Sequence, residues 1–232
     1  MEGSSSPVTL DGVTIVIQGR TDPECLKHYA DRYGPSCIVS TWRDSPPDPL
    51  GMKMVLSDKP IDPGPQHSHF QLVSTLAGLH EANTPHIIKV RGDEYFSNLE
   101  YVAEEMKKTH KILSLPIFFR PHSAWAFHPS DHMLAGSRDR LLTMYRAALK
   151  KRVLKGWDYR LVPEQMLGAA YLEVVMNTRK IKKEHMLMHF EILDLEKVKD
   201  YRISWNGAGR KFYNNFDPKV DGAPGITSMQ EL

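Results

Sequence analysis

Apolar runs and helical patterns alternate along the first half of the chain. The β-branched run at residues 13–17 predicts a buried strand, and Asp22 with Pro23 predicts a helix that continues to Ala30. A second apolar run at residues 37–42 predicts another buried strand. A strand, a helix and a strand in this order are typical of a parallel α/β sheet.

Further elements follow with less regular spacing. Residues 43–65 contain six prolines, which predict irregular structure around a short strand at 53–56. A helix is predicted at 66–82, with its buried side formed by Phe70, Val73, Leu76, Ala77 and His80. The remaining predictions are strands at 86–91 and 112–119, a helix at 99–108 capped by Ser97, helices at 137–155 and 163–176, and an irregular tail at 201–232.

Charged residues follow three of the predicted strands. Arg20 follows the first strand, Arg43 the second, and Arg91 with Asp93 the strand at 86–91. In open α/β sheets, ligands bind outside the carboxyl ends of the strands. We therefore expect the functional site at this edge.

Composition narrows the class of protein. The chain has 232 residues, 41% hydrophobic and 25% charged, with a net charge of +2, so a globular fold is expected and a dedicated nucleic-acid binder is not. Its two cysteines predict free thiols in a reducing compartment. The sequence has no apolar run long enough to span a membrane and no signal-peptide pattern, so we expect a cytoplasmic protein.

The Asp93–Glu94 pair is the strongest candidate for binding a metal. Two carboxylates just after a buried strand can hold Mg²⁺ or Mn²⁺, which would bridge the phosphates of a nucleotide. The alternative is a surface loop in which Arg91 pairs with one of the carboxylates.

Residues after the first strand are candidates for binding a nucleotide. Gln18 and Gly19 offer amide and backbone groups to a base or ribose, and Arg20 could bind a diphosphate through two hydrogen bonds. The alternative is a strand–helix turn with an exposed arginine.

A third candidate segment, residues 120–132, combines aromatic rings with histidines. We expect Trp125, His128 and His132 to bind a sugar or the acceptor, because rings stack on the C–H faces of sugars. Asp131 with the two histidines suggests zinc as an alternative, although Pro129 prevents a regular helix through both histidines. A packed loop without ligand remains the other interpretation.

Glu164 lies at the predicted start of a helix. The helix dipole favours the charged form of a carboxylate there, as a general base needs. The alternative is an ordinary acidic residue at a helix start.

Five segments in the same order resemble the WavE-type lipopolysaccharide-synthesis proteins and related glycosyltransferases of large DNA viruses that infect algae. The resemblance runs from about Val13 to Tyr171, with weaker support at residues 203–206. Its segments are Val-Ile-Gln-Gly-Arg at 16–20, Ser-Thr-Trp at 40–42, Ile-Lys-Val-Arg-Gly-Asp-Glu-Tyr-Phe-Ser-Asn-Leu at 88–99, His-Pro-Ser-Asp-His at 128–132 and Pro-Glu-Gln at 163–165.

The resemblance implies one GT-A-like domain, with a mixed, mainly parallel sheet flanked by helices. A nucleotide-sugar half would span about residues 10–110, and an acceptor half with the tail would span about 111–232. The implied metal, Mn²⁺ or Mg²⁺, falls on Asp93 with Glu94, although Arg91 stands where an Asp-x-Asp motif has its first aspartate. The implied nucleotide site consists of Gln18, Gly19, Arg20, Thr41, Trp42, Lys89 and Arg91.

The implied activity is transfer of a hexose or pentose from a nucleotide sugar to a glycan hydroxyl, with inversion. Glu164 is the expected base and Asp131 the second choice, while the metal and the arginines neutralise the leaving diphosphate. Uridine is the expected base of the nucleotide because it is common in such enzymes, and a viral member would act in the host cytoplasm.

Two other classes remain open. One is a nucleotidyltransferase, for which Gln18-Gly19-Arg20-Thr21 is a poor phosphate loop, and the other is a non-catalytic nucleotide- or sugar-binding module. The sequence contains neither the phosphate-loop motif of NTPases nor the Gly-x-Gly-x-x-Gly motif of dinucleotide enzymes.

Overall fold

Six α-helices flank the sheet in the part of the chain that the structure describes. That structure is a computed structural model that describes residues 7–117, 119, 126–155, 162–198, 200–207, 209–214 and 229. The helices are α1 (Pro23–Tyr33), α2 (Ser68–Glu81), α3 (Leu99–Lys108), α4 (Arg138–Lys155), α5 (Pro163–Val175) and α6 (Lys183–His189). None of the helices described is long and apolar enough to cross a membrane.

A seven-stranded mixed sheet forms the centre of the fold. Its strands are β1 (Val13–Gln18), β2 (Cys37–Trp42), β3 (Lys53–Ser57), β4 (His86–Arg91), β5 (Ile112–Ser114), β6 (Met133–Ser137) and β7 (Phe190–Ile192), in the order β3-β2-β1-β4-β6-β5-β7. Only β6 runs antiparallel to its neighbours. The predicted mainly parallel α/β sheet flanked by helices is confirmed.

Two hydrophobic cores lie on the two faces of this sheet. Side chains alternate along a strand, so Ile15 and Ile17 pack with α1 and α3 while Val16 packs on the opposite face with α2, α4 and α5. Asp22 begins α1 as predicted, because its carboxylate accepts hydrogen bonds from the amides of Glu24 and Cys25. The helix runs past the predicted end at Ala30 to Tyr33.

The predicted buried side of α2 is wrong. Of the five residues expected there only Leu76 is buried, while Ser74 and Gly78 face the sheet. A Cβ at Gly78 would lie 2.5 Å from Val16 Cγ1, so the absent side chain lets the helix approach β1 closely. The apolar residues that α2 buries are instead Leu72, Leu76 and Leu79, and small residues mark its closest approach to the sheet.

Several other predictions of local structure are wrong. Asn98, not Ser97, caps α3, because Asn98 accepts from the amide of Tyr101 while Ser97 donates to the carbonyl of Asp200. The strand at 112–119 is only β5, and β6, α6 and β7 were not predicted. The region predicted as an irregular tail contains a hairpin of β8 (Arg202–Gly207) and β9 (Gly209–Asn214), which begins beside a backbone bridge between Tyr95 and Arg202.

Candidate active site

A cleft of about 1210 Å³ opens at the carboxyl edge of the sheet. Strands β1, β2 and β4 end there and β6 begins there, so segments distant in sequence meet. The predicted site residues that line it are Gln18, Gly19, Arg20, Thr41, Trp42, Arg91, Asp93, His128, Asp131, His132 and Glu164. The position expected from the strand ends therefore holds a cleft.

Two predicted site residues, Lys89 and Glu94, do not line the cleft. Lys89 is fully buried beneath it, where Nζ donates to the carbonyl oxygen of Asp131 at 2.6 Å, and burial lowers the pKa of Lys89. Glu94 is also fully buried. Trp125 lies outside the described residues. Because both side chains are buried, neither Lys89 nor Glu94 is placed to contact a nucleotide in the cleft.

The loops after β1 and β4 pack backbone to backbone. Gly92 donates to the carbonyl of Gln18 and accepts from the amide of Asp22, both at 2.8 Å. A Cβ at Gly92 would lie 2.8 Å from the carbonyl oxygen of Arg20. Gly92 therefore permits close approach of the loop after β1.

Arg91 and Asp93 form an ion pair on the floor of the cleft. Arg91 Nε lies 3.2 Å from Asp93 Oδ1, and Nη2 lies 3.3 Å from Asp93 Oδ2. Such paired contacts combine charge with fixed geometry. This is the pairing that the sequence offered as the alternative to a metal.

Glu94 holds a second polar group behind this ion pair. Its Oε1 lies 2.8 Å from His132 Nδ1, accepts from the amide of Ser204 at 3.2 Å, and lies 3.4 Å from Arg91 Nε. A buried carboxylate needs such partners to offset the loss of water. Glu94 thereby connects β4, β6 and the hairpin, and it orients His132 at the cleft.

The carboxylates after β4 do not fit a metal that also reaches a phosphate in the cleft. Both oxygens of Asp93 contact Arg91, and the Oε2 atom of Glu94, which has no hydrogen-bond partner among the described residues, is enclosed. Those residues also include no cluster of three or more histidines, cysteines and acids placed to hold an ion. The two histidines considered for zinc face different carboxylates: His132 contacts Glu94, and His128 lies near Glu164.

Asp131 and Glu164 are neighbouring carboxyl groups that line the same cleft. Asp131 also accepts from Gln71 Nε2, and Glu164 Oε2 lies 3.8 Å from His128 Nε2. Burial opposes the charge of Asp131, but Lys89 and Arg91 outweigh it and hold its pKa below the usual range. Burial and the charge of Asp131 raise the pKa of Glu164 from 4.5 to about 8. Burial and the charge of Asp131 therefore act against the helix dipole, which the sequence predicted to favour the charged form of Glu164.

The loop before β6 packs closely against α5 because Gly168 has no side chain. A Cβ at Gly168 would overlap the carbonyl oxygen of Phe127 and lie 2.9 Å from Pro129 Cδ. Gln165 Nε2 donates to the carbonyl of Ala126 at 3.1 Å. These contacts place His128 beside Glu164.

Several residues that line the cleft were not predicted. Phe70 packs against Trp42 with ring centroids 5.3 Å apart, and His67 stacks on Phe70 at 5.6 Å. Lys59 and Ser204 also line the cleft. Neither belongs to a recognisable motif, and only the meeting of β2, β3 and the hairpin places them there. Phe70 was assigned to the buried side of the predicted helix from its spacing, so it was not considered as a residue of the cleft.

The raised pKa of Glu164 predicts a specific dependence of stability on pH. Between about pH 4.5 and 8 the folded protein holds a proton on Glu164 that the unfolded chain has lost, so stability falls as pH rises. Glu164→Gln cannot lose that proton, so its free energy of unfolding should rise relative to wild type over this range. Urea unfolding of both proteins at several pH values measures the difference, and parallel curves would contradict the assigned proton.

The fold and the cleft define an α/β protein with a ligand site at the carboxyl edge of its sheet. The sequence profile of the WavE lipopolysaccharide synthesis family matches residues 25–217, and the chain belongs to this family. The match starts later and extends further towards the C-terminus than the resemblance in the sequence segments. The family supports an enzyme of some kind.

Among solved structures, the chain is similar to the crystal structure of mannose-1-phosphate geranyltransferase from Thermus thermophilus. The two share 13% identity with a TM-score of 0.34, over 73% of this chain and 69% of that chain. A similarity this low carries no conclusion about function. A search of curated proteins found no significant match.

Proposed function

We propose that the protein is a glycosyltransferase that moves a sugar from a nucleotide sugar to a glycan hydroxyl. The observation that carries this proposal is one cleft lined both by cationic side chains and by the neighbouring carboxyl groups of Asp131 and Glu164. Membership of the WavE lipopolysaccharide synthesis family supports a role in making glycans.

The donor is proposed to bind across the ends of β1, β2 and β4. Arg20, Lys59 and Arg91 line this part and offer positive charge to a diphosphate. Trp42 and Phe70 offer aromatic faces beside them, suited to a base or a sugar ring. A uridine nucleotide remains the expected donor.

The acceptor hydroxyl is proposed to lie beside Glu164. The hydroxyl oxygen forms a bond to the anomeric carbon, the bond from that carbon to the diphosphate oxygen breaks, and the hydroxyl proton passes to the Glu164 carboxylate. A base is most effective when its pKa lies near the working pH, which the environment of Glu164 provides. Attack from the face opposite the leaving group inverts the anomeric centre. Asp131 remains the second choice for the base, and its charge raises the pKa of Glu164.

Binding of nucleotides tests the donor site. A ligand that binds only the folded protein raises its melting temperature, and its stabilisation at a concentration of 100 times the Kd is about 2.7 kcal/mol. UDP should stabilise the protein more than UMP, and uridine should stabilise it least, because the cationic residues bind the phosphates. GDP, ADP and CDP serve as matched comparisons that identify the base. If no nucleotide shifts the melting temperature of the folded protein, the proposal fails.

A further inference from the structure

Arg91 is held rigidly along one edge of its guanidinium group. Nε and Nη2 contact the two oxygens of Asp93, Nη2 also lies 3.4 Å from Ser204 Oγ, and Glu94 Oε1 lies 3.4 Å from Nε. Its position is therefore set by β4, the loop after it and the hairpin together. A side chain fixed in this way loses little conformational entropy when a ligand binds.

The other edge of the same guanidinium is available to a ligand. Nη1 of Arg91 has no hydrogen-bond partner in the part of the chain that the structure describes, and the side chain lines the cleft with 24% of its surface exposed. Two N–H groups at a fixed position suit the oxygens of a phosphate. Arg91 thus provides a positive charge at a fixed position on the floor of the cleft.

A metal ion at Asp93 would compete with this arrangement. The ion would need the oxygens that Arg91 occupies, and it would place its charge next to that of the guanidinium. Glu94 cannot replace Asp93, because it is enclosed and bound to His132 and the Ser204 amide. The two acids after β4 therefore serve to hold the arginine.

We infer that Arg91, positioned by Asp93 and Glu94, binds the diphosphate of the donor directly in the place where the sequence predicted a divalent metal. The inference rests on the proposed function, and it assigns the leaving diphosphate to Arg91 and its neighbours Arg20 and Lys59 in the cleft. It also makes Asp93 a positioning residue and not a metal ligand.

Calorimetric titration of UDP in EDTA and in Mn²⁺ tests this inference on the full chain. The Kd should differ by less than about tenfold between the two buffers. In parallel, the electron paramagnetic resonance signal of free Mn²⁺ should not fall when the protein is added to Mn²⁺ and UDP. Binding that occurs only with Mn²⁺ would overturn the inference but leave the proposed function standing. Absence of UDP binding in both buffers would overturn the inference together with the uridine-nucleotide donor on which it rests.

Two variants separate the arginine from the metal. Arg91→Lys should weaken UDP binding about tenfold or more, because an ammonium group cannot hold Asp93 and a phosphate with the same geometry. Asp93→Asn, which keeps the shape of the side chain, should retain UDP binding in EDTA to within about tenfold. Arg43→Lys is the matched control, since Arg43 is exposed, pairs with Asp58 and does not line the cleft.

The outcomes are distinct even if one variant folds poorly. Melting temperatures show whether Arg91→Lys is folded. If it is not, UDP binding by Asp93→Asn and the Mn²⁺ signal of the wild type decide whether Asp93 is a metal ligand. Loss of UDP binding in a folded Asp93→Asn protein, together with Mn²⁺ uptake by wild type, would show that Asp93 is a metal ligand. Unchanged UDP binding by folded Arg91→Lys would also overturn the inference.

Discussion

Glu164→Gln should lower the turnover of the best UDP-sugar by roughly 10² to 10⁴-fold, the usual contribution of a general base. Glutamine keeps the size of the side chain but cannot accept a proton from the acceptor hydroxyl. Because Glu164 is not among the cationic residues proposed to bind the diphosphate, the Kd of UDP should change little. Release of UDP from UDP-sugars, with glycan acceptors or water, measures the effect.

Glu173→Gln is the matched control for this prediction. Glu173 lies on the same helix, α5, but pairs with Lys151 and does not line the cleft. Its variant should retain wild-type turnover.

The wild-type rate should also rise with pH up to about 8, since only ionised Glu164 can act as a base. Full activity of a folded Glu164→Gln protein would exclude Glu164 as the base and leave Asp131 as the candidate.

Gly168→Ala should destabilise the protein by about 1–3 kcal/mol, the range for forcing an extra group into a packed site. In a helix, alanine is ordinarily better than glycine by about 1 kcal/mol, so the expected sign is the reverse of the helix propensity. The reason is the carbonyl of Phe127, which occupies the space of the new methyl group. Chemical denaturation measures the loss.

The same substitution should also impair the site, because the displaced loop carries His128, which lies beside Glu164. Gly136→Ala in β6 provides the control, since its new Cβ would have no neighbour closer than 3.6 Å. That variant should be as stable as wild type or more stable. Equal stability of Gly168→Ala and wild type would contradict the contact between α5 and the loop before β6.

Local sequence determined much of the fold. The strands β1, β2 and β4 are largely buried on both faces, so they appear as mainly apolar runs whose ends can be recognised. Asp22 with Pro23 marks the start of α1 through capping chemistry that involves only neighbouring residues. Parallel strands end at one edge, so the polar residues after them predicted the place of the cleft without knowledge of any contact.

Elements with short or atypical patterns could not be predicted in this way. Strand β7 has three residues, too few for a period to appear, and the strand predicted at 112–119 contains only the three residues of β5. Helix α2 approaches the sheet most closely at Ser74 and Gly78, where an apolar periodicity gives no signal. The hairpin of β8 and β9 begins at the bridge between Tyr95 and Arg202, a contact between distant segments.

The sequence by itself determined an α/β chain whose polar strand ends meet at one edge, because hydrophobic period and capping depend on adjacent residues. Only the tertiary structure decided what each charged group does there. Asp93 contacts Arg91, Glu94 turns inward to His132, and burial beside Asp131 raises the pKa of Glu164. The physical reason is that the charge and partner of an ionisable group depend on burial and on neighbours brought from elsewhere in the chain.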